Sequence, residues 1–232
     1  MSRVLPILFN TDMVRAILDG RKTVTRRLVK PQMPDACPSC KCMNVDYIYD
    51  NNAQNVYCAR CGEPFYPEKK SPYQAEDLLY IRETWTKLYY VDPDGCTHYD
   101  QEMYFYAADG VPNVSLIDPD GFEEDDQRIR WHPSIHMPKE AARIWLKVTD
   151  VRVERLQDMK FEDCLAEGAF VYLAADGNFN RDVVESEAKR KFGELWDSTI
   201  KKKDFSIYGW DANPWVWVIE FERCDKPESE GA

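Results

Sequence analysis

The sequence contains no long hydrophobic run and no amino-terminal signal segment. A membrane-spanning helix needs roughly 18 or more consecutive apolar residues, and polar residues interrupt every apolar stretch of this chain before that length. The amino terminus also lacks the apolar core of a secretory signal peptide. We therefore expect a soluble, cytoplasmic protein with no membrane partner.

The chain also has no excess of positive charge. Its 232 residues include 30 Lys and Arg against 41 Asp and Glu, which gives a formal net charge of -11. This balance excludes the broad cationic face with which proteins cover duplex nucleic acid. Any contact with nucleic acid is expected to be local, or limited to a nucleoside or a short strand.

Internal repeats and a regular β-α-β rhythm are absent as well. The hydrophobic pattern predicts strands at 4–9, 77–84, 102–108, 143–156 and 215–221, and helices at 11–19, 161–167 and 185–200. The span 143–156 fits one long strand, or two strands joined by a bulge near Thr149. Irregularly spaced strands with few helices indicate an α+β protein built on a small mixed-sheet barrel.

Cysteine is plentiful, and its clustering indicates a metal site. Of eight cysteines, five lie between positions 37 and 61, where two C-x2-C pairs are separated by 17 residues. Four thiolates at this spacing can surround one zinc ion, which would stabilise an insert too small for its own core. We predict a structural zinc ribbon over residues 36–67 with the ligands Cys37, Cys40, Cys58 and Cys61. Cys42 is an alternative to Cys40. A catalytic zinc is disfavoured, because four thiolates leave no open position for water.

A basic cluster follows the first predicted helix. Residues 20–27 read GRKTVTRR, where Gly20 ends the helix and the β-branched residues begin a strand. Such a corner can hold Lys22 and Thr25 in a rigid frame and bind an anionic ligand. Alternatively, the cations offset the helix dipole and stay solvated.

Three further segments bear on function. Residues 109–130 form an acidic loop, which is either a mobile lid or a solvated surface loop, and residues 225–232 form a disordered tail. Residues 131–138 combine two prolines, two histidines, Trp131 and Ser134, and such an apolar irregular segment packs on a core or lines a pocket. The prolines prevent a helical histidine pair. Glu167 ends a helix, where its charge is unfavourable unless a cation lies nearby.

Taken together, these motifs resemble an ASCH-domain protein of the PUA-like superfamily. The run GRKTVT at 20–25 resembles the family signature G-R-K-T-x-T. Residues 156–168, which end in Ala-Glu-Gly, resemble its later helix, and residues 217–221 resemble its closing strand. Segments 80–85, 131–138 and 209–215 are similar to a longer branch found in phages and prophages. The resemblance covers nearly the whole chain and implies one domain over 1–224, a pseudo-barrel of mixed strands flanked by helices, and a cleft for RNA or a nucleoside.

Compact members of this family are amidohydrolases that remove the acetyl group from N4-acetylcytidine. The resemblance implies that Thr25 is the nucleophile, Lys22 its base, and Glu167 the carboxylate that orients the lysine. Candidate substrate-binding residues are Arg21, Arg26, Trp131 and Ser134. This chain is roughly twice as long as the compact enzymes, and the resemblance does not supply the activity of the longer branch.

Three functions therefore remain open. The first is an amidohydrolase acting on an acylated nucleoside in a bacterial or phage-infected cell. The second is a module that binds structured or single-stranded RNA, or a modified nucleobase, in the same cleft without catalysis. The third is a phage accessory protein whose zinc ribbon docks a protein partner. Fold-level similarity does not decide between them.

Overall fold

A computed structural model describes residues 2–43, 46–65, 70–91, 96–111, 116–117, 129–168 and 181–227. The chain divides into two compact units. The first unit comprises Met1–Arg3, Asp19–Asp77 and Lys147–Glu222. The second comprises Val4–Leu18, Leu78–Leu146 and Arg223–Ala232. Strand and helix labels below follow chain order.

The described strands and helices alternate irregularly along the chain. The strands are β1 (Val4–Leu8), β2 (Val24–Leu28), β3 (Tyr47–Asp50), β4 (Asn55–Cys58), β5 (Pro64–Phe65), β6 (Leu78–Arg82), β7 (Trp85–Val91), β8 (Thr97–Tyr106), β9 (Leu116–Ile117), β10 (Trp145–Arg155) and β11 (Trp215–Cys224). The α-helices are α1 (Thr11–Leu18), α2 (Phe161–Ala166), α3 (Arg181–Thr199) and α4 (Phe205–Tyr208).

In the first unit, β10, β11 and β2 are neighbours in that order, and β11 pairs with β2 in antiparallel register. Val218 lies opposite Arg26, and Ile219 lies opposite Thr25. Helix α3 packs on this part of the sheet because it presents Ala188, Phe192 and Trp196 on one face. These side chains join a buried cluster that also contains Val24, Leu156, Met159, Cys164, Val216 and Val218.

The segment predicted to be a zinc ribbon, which lies in the first unit, forms its own small sheet. Strands β3, β4 and β5 are antiparallel neighbours in chain order, with Tyr47 opposite Cys58 and Val56 opposite Phe65. Residues 44–45 and 66–67 of the predicted insert lie outside the described part.

In the second unit, β1 pairs in parallel with β6, and the backbone N–H of Ile81 donates to the carbonyl of Ile144 just before β10. Pro6 has no N–H to donate, which suits the edge position of β1. A second sheet has the order β8-β7-β9. The core of this unit contains Met137, Ala141, Ala142 and Trp145.

The predicted α+β class with a mixed multi-strand sheet is confirmed. Most of the predicted span 143–156 is one strand, β10 (Trp145–Arg155), which continues without a break through Thr149. The predicted acidic loop falls largely outside the described residues, as does the tail beyond residue 227. Among the described helices, none combines the length and the apolar character required to cross a bilayer.

Candidate functional site

Lys22 is completely enclosed in the first unit. Its side chain is 0% exposed. Its Nζ donates to three oxygens, the carbonyl of Val24 at 2.7 Å, the carbonyl of Glu167 at 2.9 Å and Oε2 of Glu167 at 2.7 Å. An ammonium group has three donors, and these contacts use all of them.

Backbone pairing holds Lys22 against Glu167. The two residues form an isolated antiparallel bridge, and the next N–H, of Thr23, donates to the carbonyl of Ala166 at 2.9 Å. Glu167 directly follows α2, and Gly168 then takes a positive φ of 84° that an L side chain would resist. Residues 145 positions apart in sequence are thereby brought into contact.

Glu167 lies between two cations. Lys22 binds its Oε2, while Arg26 Nη1 donates to its Oε1 at 3.2 Å. Its side chain is 4% exposed, and it sits at the negative end of α2, where these cations offset an otherwise unfavourable charge. Both carboxylate oxygens are thus committed to protein partners.

Arg26 is itself buried among carboxylates. Its side chain is 0% exposed, its Nη2 donates to Oε1 of Glu154 at 2.6 Å, and Asp163 lies 3.6 Å away. Asp163 also accepts the backbone N–H of Lys160 at 2.9 Å, which caps the start of α2. Within the described part, Nε of Arg26 has no hydrogen-bond partner.

Thr25 lies on β2, between Val24 and Arg26 in the sequence. It is 1% exposed, and its hydroxyl accepts a hydrogen bond from Nη1 of Arg27 at 2.9 Å. Arg27 also donates to the carbonyl of Arg26 at 3.1 Å. The Thr25 hydroxyl is therefore shielded from solvent in this conformation.

Burial lowers the pKa of Lys22 below the ordinary lysine value of 10.5. The Glu167 carboxylate acts in the opposite direction, through its charge and its hydrogen bond, while Arg27 and Arg26 add to the lowering. A lysine with a lowered pKa gives up its proton more readily, which is the property that a general base requires.

The other predicted substrate-binding residues lie in different places. Arg21 is exposed and donates to Oδ2 of Asp19 at 2.8 Å in the first unit. Trp131 and Ser134 belong to the second unit, where both are half-buried and Ser134 opens a short 3-10 turn. Their contact with a ligand of Lys22 stays a prediction.

The four predicted zinc ligands are clustered. The sulfur atoms of Cys37, Cys40, Cys58 and Cys61 all lie within 4.8 Å of one another. Two edges of this group measure 3.7 Å (Cys37 to Cys61) and 3.9 Å (Cys40 to Cys58). A tetrahedron of sulfurs at about 2.3 Å from zinc has edges of about 3.8 Å. The donor set is therefore compatible with zinc. Cys42 adjoins it, 3.0 Å from the sulfur of Cys40.

The two cysteine turns have the same local geometry. The residue after each pair, Lys41 or Gly62, has a positive φ. The backbone N–H groups two and three residues ahead stabilise the thiolates. They lower the pKa of Cys37, and at Cys58 they lower it overall although burial, the largest influence there, raises it. Such N–H groups directed at sulfur suit a thiolate–metal site.

The ribbon packs on β11 through two tyrosines. Tyr47 meets Trp215 edge-on at a centroid distance of 5.3 Å, and Tyr49 meets Trp217 at 5.0 Å. The hydroxyl of Tyr47 also donates to the carbonyl of Pro34 at 3.0 Å. The cysteine site is therefore tied to the strand that pairs with β2.

The sequence reasoning missed Arg27, Glu154 and Asp163. The alternation of β10 was a usable signal, since buried Val151 and Val153 flank the half-buried Arg152 and put Glu154 on its polar face. That pattern identifies the face but not the partner, which depends on the order of β10, β11 and β2.

No protein-family model, curated protein or solved structure matches this chain. The resemblance to ASCH proteins therefore depends on the sequence motifs alone.

Proposed function

We propose that the chain is an ASCH-type amidohydrolase with a PUA-like fold that removes the acyl group from a modified cytidine resembling N4-acetylcytidine. The observation that carries this proposal is the Lys22–Glu167 contact, in which a fully buried lysine with a lowered pKa is held by a carboxylate. Removing an ammonium group from water costs free energy, and ionisable groups with perturbed pKa values are concentrated at functional sites.

The reaction has two acyl-transfer steps. The hydroxyl oxygen of Thr25 attacks the acyl carbonyl carbon while its proton passes to the neutral amine of Lys22. The carbon–nitrogen bond then breaks, the leaving nitrogen takes the proton back, and the acyl group remains as an ester on Thr25. Water hydrolyses this ester, with Lys22 again accepting a proton, to give a carboxylic acid and the free hydroxyl. Glu167 positions the lysine.

Two local changes are needed for this chemistry. Thr25 must be uncovered, since it is 1% exposed and its hydroxyl is bound by Arg27. Lys22 must lose one of the three protons that its ammonium group now donates to protein oxygens. Activity should therefore rise with pH towards the lowered pKa of Lys22, where the neutral amine becomes abundant.

The decisive experiment measures conversion of N4-acetylcytidine to cytidine by liquid chromatography. Thr25→Ala should abolish the conversion, while Thr23→Ala, an exposed threonine of the same segment, should retain it. Circular dichroism of both variants checks that the fold is intact. Turnover by Thr25→Ala at the wild-type rate would exclude Thr25 as the nucleophile.

The second candidate is a binding module without catalysis. It is favoured over catalysis by the hydrogen bonding of Lys22, because an ammonium group that donates to three protein oxygens has no lone pair with which to accept a proton from Thr25. In this case calorimetric titration with cytidine derivatives should show binding that Lys22→Ala weakens, and no product should form. Formation of product that depends on Thr25 would contradict it.

We also propose that the four cysteines hold a structural zinc. Their mutual distances and thiolate-stabilising turns support the assignment. Zinc would connect the two turns, and the ribbon would brace β11 and offer a surface to a protein partner. Elemental analysis should find about one zinc per chain. A metal-free, fully folded wild type would end the assignment.

A further inference from the structure

A dense group of positive charge lies between α3 and α4. Lys201, Lys202 and Lys203 are consecutive and exposed. None of the three makes an ion pair with any residue that the structure describes. The segment's one carboxylate, Asp204, is half-buried. Among the described residues, these three lysines without an ion pair contrast with the net charge of -11 of the chain.

Aromatic side chains adjoin these lysines. Phe205 begins α4 and is 38% exposed, and Tyr208 ends the same helix and is half-buried. A fourth cation reaches the segment from elsewhere, since Nζ of the exposed Lys30 lies 4.8 Å from the ring centroid of Tyr208. Cations and accessible rings are thus combined on one short stretch.

The segment is held in place by hydrogen bonds. The N–H of Asp204 donates to the carbonyl of Lys201 at 2.8 Å, and the indole N–H of Trp196 donates to the carbonyl of Tyr208 at 2.8 Å. After α4, Gly209 is required for space, because a Cβ there would lie 2.7 Å from the carbonyl oxygen of Phe205. A ligand would therefore meet a surface that is already ordered, which reduces the entropic cost of binding.

We propose that this surface binds the backbone of single-stranded RNA. The lysine patch comprises Lys30, Lys201, Lys202, Lys203, Phe205 and Tyr208. The ammonium groups contact phosphates, and a base stacks on the exposed ring of Phe205. This inference rests on the proposed function, because the choice of RNA as the polyanion comes from it. It adds that the substrate is a modified nucleotide within an RNA strand.

RNA fits the patch better than an anionic membrane does. Helix α4 has only 4 residues, which is too short to lay an apolar face into a bilayer interface. The net charge of -11 also disfavours approach of the whole chain to an anionic bilayer, whereas a single strand needs contact only with the local cations.

The test uses a fluorescein-labelled single-stranded RNA of about 15 nucleotides, within the site sizes of single-strand binders, and measures anisotropy over a range of salt. Each phosphate contact contributes a slope of about -0.7 to log K against log salt, so four lysines give about -2.8. Lys202→Gln with Lys203→Gln should make the slope shallower by about 1.4. Phe205→Ala should weaken binding about tenfold with the slope unchanged.

A matched control variant removes the same amount of positive charge at a site outside the lysine patch. Lys189 and Lys191 on α3 are paired with Glu185 and Glu187, so replacing both with Gln should leave the affinity and the slope nearly unchanged. If both double variants lost RNA affinity equally, the cause would be the change in net charge, and the proposal would be refuted. Absence of wild-type binding, or lysine-dependent binding to phosphatidylserine vesicles without binding to RNA, would also refute it.

The enzymatic proposal can fail separately. Free N4-acetylcytidine has no neighbouring phosphates that could contact the lysine patch. The Lys202 and Lys203 double variant should therefore convert it at the wild-type rate. RNA binding through the lysine patch without any deacylation would refute the amidohydrolase proposal and support the RNA-binding proposal. Deacylation of the nucleoside by a protein that does not bind RNA would refute the RNA-binding proposal and support the amidohydrolase proposal.

Discussion

Replacement of Lys22 by methionine tests the central cluster most directly. The change keeps an apolar side chain of similar length but removes the ammonium group. Glu167 then loses the closer of its two cations, at 2.7 Å, and two backbone carbonyls lose their donor. Removing one partner of a buried pair costs about 3–5 kcal/mol. We expect about 3 kcal/mol, because Arg26 still binds the other oxygen of Glu167.

Urea unfolding followed by tryptophan fluorescence measures this loss, and neighbouring variants calibrate it. Arg21→Met breaks an exposed pair with Asp19, whose side chains are 39% and 57% exposed, and should cost less than about 0.5 kcal/mol. The double variant of Lys22→Met and Glu167→Gln removes both charges and should recover part of the stability. A coupling energy above about 1 kcal/mol is expected for such a contact. A value near zero would refute the assigned interaction.

The pH dependence gives an independent check on the same residue. The folded pKa of Lys22 is lowered below the 10.5 of the unfolded chain, so between these two values the unfolded state binds more protons. The stability of the wild type relative to Lys22→Met should therefore rise as the pH increases through this window towards 10.5. If the difference in free energy of unfolding between the wild type and Lys22→Met became smaller over this range, the pKa of Lys22 would not be lowered in the folded state.

Three further predictions concern the remaining clusters. Cys58→Ser should abolish zinc binding in elemental analysis and lower the melting temperature, and unchanged zinc content would exclude Cys58 as a ligand. Tyr49→Ala should cost about 3 kcal/mol in urea unfolding because the ring is buried, whereas Ile48→Ala, at an exposed position on the same strand, should cost less than about 0.5 kcal/mol. Arg143→Met should cost about 3–5 kcal/mol at neutral pH because it leaves Glu83 buried and unpaired. Burial raises the pKa of Glu83 above 4.5 although Arg143 opposes this shift, so the pKa should rise further in the variant. The difference in stability between wild type and variant should therefore shrink as the pH falls towards the wild-type pKa, because the carboxyl of the variant becomes neutral first.

Several elements could be predicted because their local patterns are strong. The apolar run that begins at Trp215 forms β11, and the alternation from Trp145 to Arg155 forms β10. The paired C-x2-C spacing predicted the four clustered sulfurs. The α+β class and the mixed sheet followed from the irregular spacing of these elements. The PUA-like barrel stays a prediction, because pairing order depends on long-range contacts that no local pattern encodes.

The candidate site illustrates the same limit. The meeting of Lys22 and Glu167 was expected only from the family resemblance, since the residues are 145 positions apart. Arg26 was interpreted as a ligand-binding residue because a basic cluster in sequence says nothing of its acidic partners. In the structure it is bound by Glu154 on β10 and by Glu167 after α2, and these residues come close only when β2, β10, β11 and α2 assemble. The exposure of Arg21 fits the alternative that part of the cluster is solvated.

The two units each contain an ion cluster around a buried carboxylate, and the clusters differ in their hydrogen bonding. In the second unit, Arg143 binds both oxygens of Glu83 through a two-point fork, which is a strong and geometrically specific arrangement. In the first unit, the charges are spread over Lys22, Arg26 and Glu167, and one buried guanidinium donor has no partner among the described residues. A buried polar group without a hydrogen-bond partner lowers the stability of the fold. Natural proteins tolerate such unfavourable features mainly at their functional sites. If stability alone had shaped the first cluster, replacing both Lys22 and Glu167 with apolar residues should stabilise the protein without changing its response to any nucleoside.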